Sequence, residues 1–129
     1  MTTAQDEATS FAAYEAIAAT LTRYLDSARK GDGKAMRTAF ADGAMVRGSY
    51  GGKPADWTID DFCNVIDKGG AAPGLSARIV SIERCGSAAM ARIEAENWRG
   101  TRYTDFFVLT VREDSWRITS KVFFAHSRA

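Results

Sequence analysis

RYTDFFVLTVREDSWRITSKVFF, residues 102–124, is the stretch whose reading decides the fold. Residues 102–111 and 116–124 are dense in Val, Ile, Phe, Tyr, Trp and Thr, and REDS between them is polar. That pattern predicts two long antiparallel strands joined by a tight turn. Two similar runs stand just upstream, residues 76–85 and 88–98, separated by Gly86-Ser87 and followed by Arg99-Gly100. Four long strands with short connections make an antiparallel meander.

Further upstream the apolar period changes from two to between three and four. In TSFAAYEAIAATLTRYLDSARKGDG, Phe11, Tyr14, Ile17, Ala18, Leu21, Tyr24, Leu25 and Ala28 lie on one face of a long helix. Thr9 or Ser10 suits its N-cap, and Gly31 suits a left-handed stop. Asp32 is placed to cap a second, short helix, GKAMRTAF, with Ala35, Met36, Ala39 and Phe40 facing inward. Residues 44–50 read as a short strand, Gly51-Gly52 as a hairpin turn, and Pro54 confines the return strand to a short or edge position. In TIDDFCNVIDKGG, Thr58 and Asp61 resemble a capping box. Ile59, Phe62, Cys63 and Ile66 form the inner face of a third helix, which Gly69-Gly70 stop. The order predicts one α+β domain over residues 1–129, a curved antiparallel sheet wrapped over three N-terminal helices. Residues 1–8 are expected to be disordered or loosely held.

Composition narrows the function. With 129 residues, 46% hydrophobic and 26% charged, the chain has a globular composition. Its formal net charge of +1 gives no broad basic face for nucleic acid. The N-terminus MTTAQDEATS has neither the basic start nor the apolar core of a signal peptide, and no apolar run approaches the ~20 residues of a membrane helix. A cytoplasmic protein without membrane or nucleic-acid partners is expected. Cys63 and Cys85 are far apart and read as small buried thiols in a reducing compartment. One histidine, His126, and no close Cys/His spacing give no reason to expect a metal or other cofactor. Three residues from the C-terminus, His126 is expected to be exposed and frayed.

The order of elements, together with TLTRYLDSARKGDGKAMRTAF, RGSYGG, TRYTDFFVLTV and SWRITSKVFF, resembles the nuclear transport factor 2-like superfamily over nearly the whole chain. GSYGGK, Thr104-Asp105 and SKVFF are similar to its putative lumazine-binding branch, related to the polyketide-cyclase-like branch. The resemblance implies a cone of curved sheet over helices, a flat heterocyclic ligand, and dimerisation sheet to sheet. The fold hosts isomerases, dehydratases, cyclases and binding domains alike, so no reaction follows from it.

Strand parity locates a candidate site. In residues 88–98, Ala89, Ala91, Ile93, Ala95 and Asn97 share the buried side, and Met90, Arg92, Glu94, Glu96 and Trp98 the wet one. Asn97 either bonds a nearby backbone group or lines a pocket. In residues 102–111 both faces are apolar. Tyr103, Asp105, Phe107, Leu109 and Val111 form one face, Thr104, Phe106, Val108 and Thr110 the other, so a second subunit is expected on the outer face. With Glu113-Asp114 as the turn, Val111 faces Trp116 and Asp105 faces Val122. A one-residue bulge at the turn sets Asp105 opposite Lys121 instead. Asp105 and Lys121 are either a structural ion pair or polar anchors in an apolar cavity. A paired Asp105 is expected to have a lowered pKa and to be a poor base near neutrality. Tyr24, Tyr50, Trp57, Phe62 and Asn97 complete the candidate ligand set with Asp105 and Lys121. Binding of a flat, partly polar small molecule is the first reading. A cofactor-free isomerase, lyase or cyclase with Asp105 as base, and Tyr24 or Tyr50 as proton donor, is the alternative. A third is an interaction module with a filled cavity.

Overall fold

The computed structural model describes residues 10–126. Its elements are α1 (Ser10–Lys30), α2 (Gly33–Arg37), β1 (Phe40–Tyr50), β2 (Lys53–Thr58), α3 (Ile59–Gly69), β3 (Ser76–Cys85), β4 (Ala88–Trp98), β5 (Thr101–Arg112) and β6 (Ser115–Ala125). The expected looseness of residues 1–8 and the Thr9 cap lie outside the described residues. The six strands form one unclosed sheet in the order β2-β1-β6-β5-β4-β3, so the chain is the α+β arrangement read from its sequence. β3 to β6 are the expected meander. β1 closes the other side by pairing parallel to β6, with β2 at the edge beside it. Pro54 sits on that edge strand, where its missing N–H breaks no inner ladder.

The helices cover one face. α1 packs across the sheet on β3 and β6, while α3 lies on β1 and β2. Ile17, Leu21, Tyr24, Leu25 and Ala28 of α1 are buried as its periodicity predicts. Phe11 is not: at 82% exposure the first turn projects past the core, which begins at Ile17. Thr20, a buried hydroxyl, donates to the Trp116 carbonyl at 2.9 Å and ties α1 to β6. The second helix is shorter than expected. It ends at Arg37, with Thr38 as C-cap, and Phe40 opens β1 instead. Met36, Ala39 and Phe40 are nonetheless all buried. Asp32 and Thr58 cap α2 and α3 as expected, accepting from Ala35 N and Asp61 N. Cys63 is buried, whereas Cys85, at the end of β3, is exposed, contrary to expectation.

Three one-residue irregularities bend the meander: near Val80 in β3, between Ala95 and Trp98 in β4, and at Thr119 in β6. The last corrects the expected register. Val111 does face Trp116, and Glu113 and Asp114 form the turn with φ of 51° and 62°. The bulge then comes in mid-strand rather than at the turn, so Asp105 faces Phe123 and Phe107 faces Lys121. Because side chains alternate along a strand, the extra residue moves Lys121 and Phe123 to the same inner face as Trp116 and Ile118.

Candidate functional site

A cavity of about 560 Å³ opens between α3, the β1–β2 hairpin and the β4–β5 end of the sheet. Six aromatic side chains line it: Tyr50, Trp57, Phe62, Trp98, Tyr103 and Phe123. Trp57 and Phe123 lie parallel, centroids 5.9 Å apart at 8°, and Trp98 meets Tyr103 edge to face at 5.4 Å. Rings in such contacts are mutually held, so the walls are stiff before anything enters.

Lys121 supplies the buried charge. Its side chain lines the cavity although only 2% of the residue is exposed. Nζ donates to the Tyr24 hydroxyl at 2.6 Å, and that hydroxyl donates to Asp105 Oδ2 at 3.3 Å. Nζ stands 3.9 Å from Asp105 Oδ1, which has no hydrogen-bond partner. The pair is therefore bridged through a phenol rather than joined directly. Three further rings, Phe62, Trp98 and Phe123, stand around Nζ with centroids 4.7, 5.3 and 5.1 Å away, while Tyr24 meets it through the hydroxyl at its edge. Ring faces favour an ammonium.

Burial governs the titration of this trio. It raises the Asp105 pKa, outweighing the attraction of Lys121 and the Tyr24 hydrogen bond that pull it down. The expectation of a lowered Asp105 pKa is thus reversed, because the lysine is too distant to repay the desolvation of a fully buried carboxylate. Burial likewise lowers Lys121, against the pull of Asp105, and together with the neighbouring carboxylate raises the Tyr24 phenol well above its ordinary value.

Local backbone chemistry delivers the walls. Asn97 takes a left-handed φ of 57° and is the extra residue of the β4 bulge. Its side chain donates to the Gly74 carbonyl at 3.3 Å and accepts from Gly100 N at 3.2 Å. It is thus a turn residue, not part of the cavity. The bulge turns Trp98, expected on the wet side, onto the inner face instead. Arg99 follows with a φ of 51°, unusual for a long side chain. Its guanidinium lies over Gly69 at the C-terminal end of α3, so close that a Cβ there would sit 2.3 Å from Nη1. Strain at this turn, on the order of 1 kcal/mol or more, coincides with the placement of Trp98 and Arg99 at the cavity.

Of the expected ligand residues, Tyr50, Trp57, Phe62 and Lys121 stand in the cavity wall. Tyr24 and Asp105, each 0% exposed, lie behind Lys121. Trp98 and Arg99 were missed, since alternation alone cannot reveal a bulge. Tyr103 and Phe123 were legible as neighbours of Asp105 and Lys121 by parity. His126 is half-buried rather than frayed: its backbone N–H bonds the Arg102 carbonyl, and Nε2 lies 2.9 Å from Thr104 Oγ1 on the outer face. It cannot serve the cavity from there. Among the described residues, no group of three or more His, Cys, Asp or Glu side chains is arranged to hold a metal ion. Nor is any helix long and apolar enough to cross a membrane.

Comparison with known proteins agrees with the fold. An NTF2-like protein of unknown function from Methylobacillus flagellatus KT is 34% identical, with 92% of this chain and 95% of that one covered, at a TM-score of 0.87. One from Shewanella baltica OS155 is 33% identical over 98% and 99% of the two chains, at 0.83. A ketosteroid isomerase-like protein from Erwinia carotovora atroseptica SCRI1043, at 18% identity, 88% and 95% coverage and a TM-score of 0.68, shares the fold alone. No curated protein matches. The family described as "Putative lumazine-binding" matches residues 12–124, and the chain belongs to that family, within the nuclear transport factor 2-like superfamily.

Proposed function

We propose that the protein binds a flat, partly polar heterocycle in the cone cavity and does no chemistry on it. The observation that carries this reading is an aromatic cavity of about 560 Å³ with one buried cation in its wall. That is the common composition of a small-molecule site, with stiff apolar walls and few polar groups to fix orientation. The ligand residues are Tyr50, Trp57, Phe62, Trp98, Tyr103, Phe123 and Lys121, with Tyr24 and Asp105 holding the lysine. The raised pKa of Asp105 would suit a general base, but its carboxylate is 0% exposed and its contacts are Tyr24 and Lys121. A base must reach the proton it takes. A reducing, cytoplasmic setting suits the two free thiols.

Flavin-like and pterin-like compounds, screened by thermal shift, test the proposal. A ligand at 100 times its Kd adds about 2.7 kcal/mol of stability, and Trp57→Ala should abolish that gain. Turnover of an enolisable ketone that vanishes in Asp105→Asn overturns it in favour of a cofactor-free isomerase, lyase or cyclase.

The same reading includes a homodimer formed through the outer face of the sheet. Met90 pairs with Val108 across β4 and β5, and Phe106 with Val122 across β5 and β6, each about half exposed. Contiguous apolar surface of this kind on a sheet is the usual mark of an interface.

A further inference from the structure

Lys121 has donors left over. An ammonium carries three N–H groups, and Tyr24 accepts one. No other hydrogen-bond partner for Nζ is present among the described residues, and the Asp105 oxygen at 3.9 Å lies beyond hydrogen-bonding range. Yet the side chain is only 3% exposed and borders the cavity. Three rings and a carboxylate behind the phenol hold the charge there without saturating its donors. Such a group is costly unless something arrives to accept its remaining hydrogen bonds.

At the rim the charge has the same sign. Arg99 and Lys53 both border the cavity. Asp56, the one acidic residue bordering it among the described residues, already forms an ion pair with Arg47 at 2.9 Å. Arg99 is held at the rim by a left-handed backbone and by the bare Cα of Gly69.

From the unsaturated, buried Lys121 and the basic rim, we infer that the ligand is an aromatic acid whose carboxylate is held by Lys121. The inference rests on the binding function proposed above and names the chemical class of its ligand. The ring system lies among Trp57, Trp98 and Phe123, and the carboxylate accepts from Nζ. A charge-assisted hydrogen bond in a dry aromatic pocket discriminates strongly against a neutral isostere, which brings no charge to meet the buried ammonium. Arg99 and Lys53 assist entry and add affinity at the rim. Asp105, on the far side of Tyr24, offsets the lysine's charge in the unliganded protein. The carboxylate joins that network as a second anion on the opposite side of Nζ.

The test uses two compounds of one outline, quinoxaline-2-carboxylate and quinoxaline-2-carboxamide, titrated into the full chain by calorimetry and by quenching of tryptophan fluorescence. The acid is expected to bind at least about 10-fold more tightly than the amide. Lys121→Met should erase that ratio, chiefly by weakening the acid. Since Lys121→Met strands a buried carboxylate at a cost to folding, Asp105→Asn/Lys121→Met serves as the second carrier of the same measurement. Equal affinities for acid and amide in the unaltered protein overturn the inference but leave cavity binding intact. An acid preference that survives in the double variant overturns the role of Lys121. Failure of these two compounds and of the whole flavin-like and pterin-like set to bind sinks the binding function itself, and the inference with it.

Discussion

Asp105, Tyr24 and Lys121 act as one unit because the phenol stands between the charges. The direct separation, 3.9 Å, is too long for a hydrogen bond, whereas both charged groups touch the Tyr24 hydroxyl. Removing Lys121 alone leaves a carboxylate buried without a cation, so Lys121→Met is expected to cost about 3 kcal/mol or more in urea unfolding. Adding Asp105→Asn should recover much of that, giving an interaction term on the order of 1 kcal/mol or more in a double-mutant cycle. Strict additivity would mean that the two do not communicate. The pH dependence follows from the directions of the shifts. Asp105 is raised, so its contribution to stability is fully present below the ordinary carboxylate pKa and is lost as pH rises through its folded value. Lys121 is lowered, so its contribution is present above the ordinary lysine pKa and is lost as pH falls through its folded value. Both groups therefore weigh against the fold around neutrality. In the Lys121→Met background only Asp105 titrates, so urea midpoints of Lys121→Met compared with Asp105→Asn/Lys121→Met should show the variant that keeps Asp105 gaining relative stability as pH falls from neutral towards the ordinary carboxylate range. A difference that stays flat with pH would contradict the raised Asp105.

Among the elements, the strand interiors were legible and their irregularities were not. Ala89, Ala91, Ile93 and Ala95 are the buried row that alternation assigns to β4, and the row breaks at Asn97. An asparagine is compatible with a left-handed bulge, but equally with an ordinary strand end, so sequence alone could not turn Trp98 inward. The bulge at Thr119 left no compositional mark at all, and it decides whether Lys121 faces the core or solvent. Charge at the start of an apolar run was the useful clue, since it singled out Asp105 and Lys121 without any register. Two glycines separate structural from site effects. At Gly48 an added Cβ would lie 2.1 Å from the Phe123 carbonyl oxygen, a backbone atom that moves only if β1 and β6 part. Gly48→Ala should therefore lower stability by roughly 1–3 kcal/mol. At Gly69 the obstruction is the flexible end of Arg99, which can swing away, and alanine is the better helix former by about 1 kcal/mol. Gly69→Ala should leave the melting temperature unchanged or higher, yet weaken quinoxaline-2-carboxylate binding about 3-fold as the guanidinium leaves the rim. Unaltered affinity in that variant would remove Arg99 from the site.

For the whole molecule, the two faces of the sheet have different chemistry. The inner face builds the core and the cavity, and the outer face combines an apolar stripe with a polar cluster. In that cluster Glu94 accepts from Arg92, Arg102 and Thr104, while Thr104 also meets His126. Burial pushes the Glu94 pKa up, but these hydrogen bonds outweigh it and hold the carboxyl at about 2. Its stabilising contribution is accordingly present above the ordinary glutamate pKa and disappears as pH falls to about 2. Beside the cluster, Val80, Met90, Phe106, Val108, Val122 and Phe124 are each about half exposed, a costly surface for a monomer with a net charge of only +1 to keep it dispersed. A second copy meeting this face would bury the stripe. Sedimentation at micromolar concentration is therefore expected to give twice the 14.0 kDa chain mass. Phe106→Lys should yield a folded monomer. The residue lies outside the core, so the sheet tolerates the change, whereas an unpaired ammonium at the centre of the stripe opposes association by about 3 kcal/mol or more. Circular dichroism identical to that of the unaltered protein, with halved mass, would assign the effect to the interface. A 14.0 kDa species before any substitution would leave the apolar stripe without the partner proposed for it.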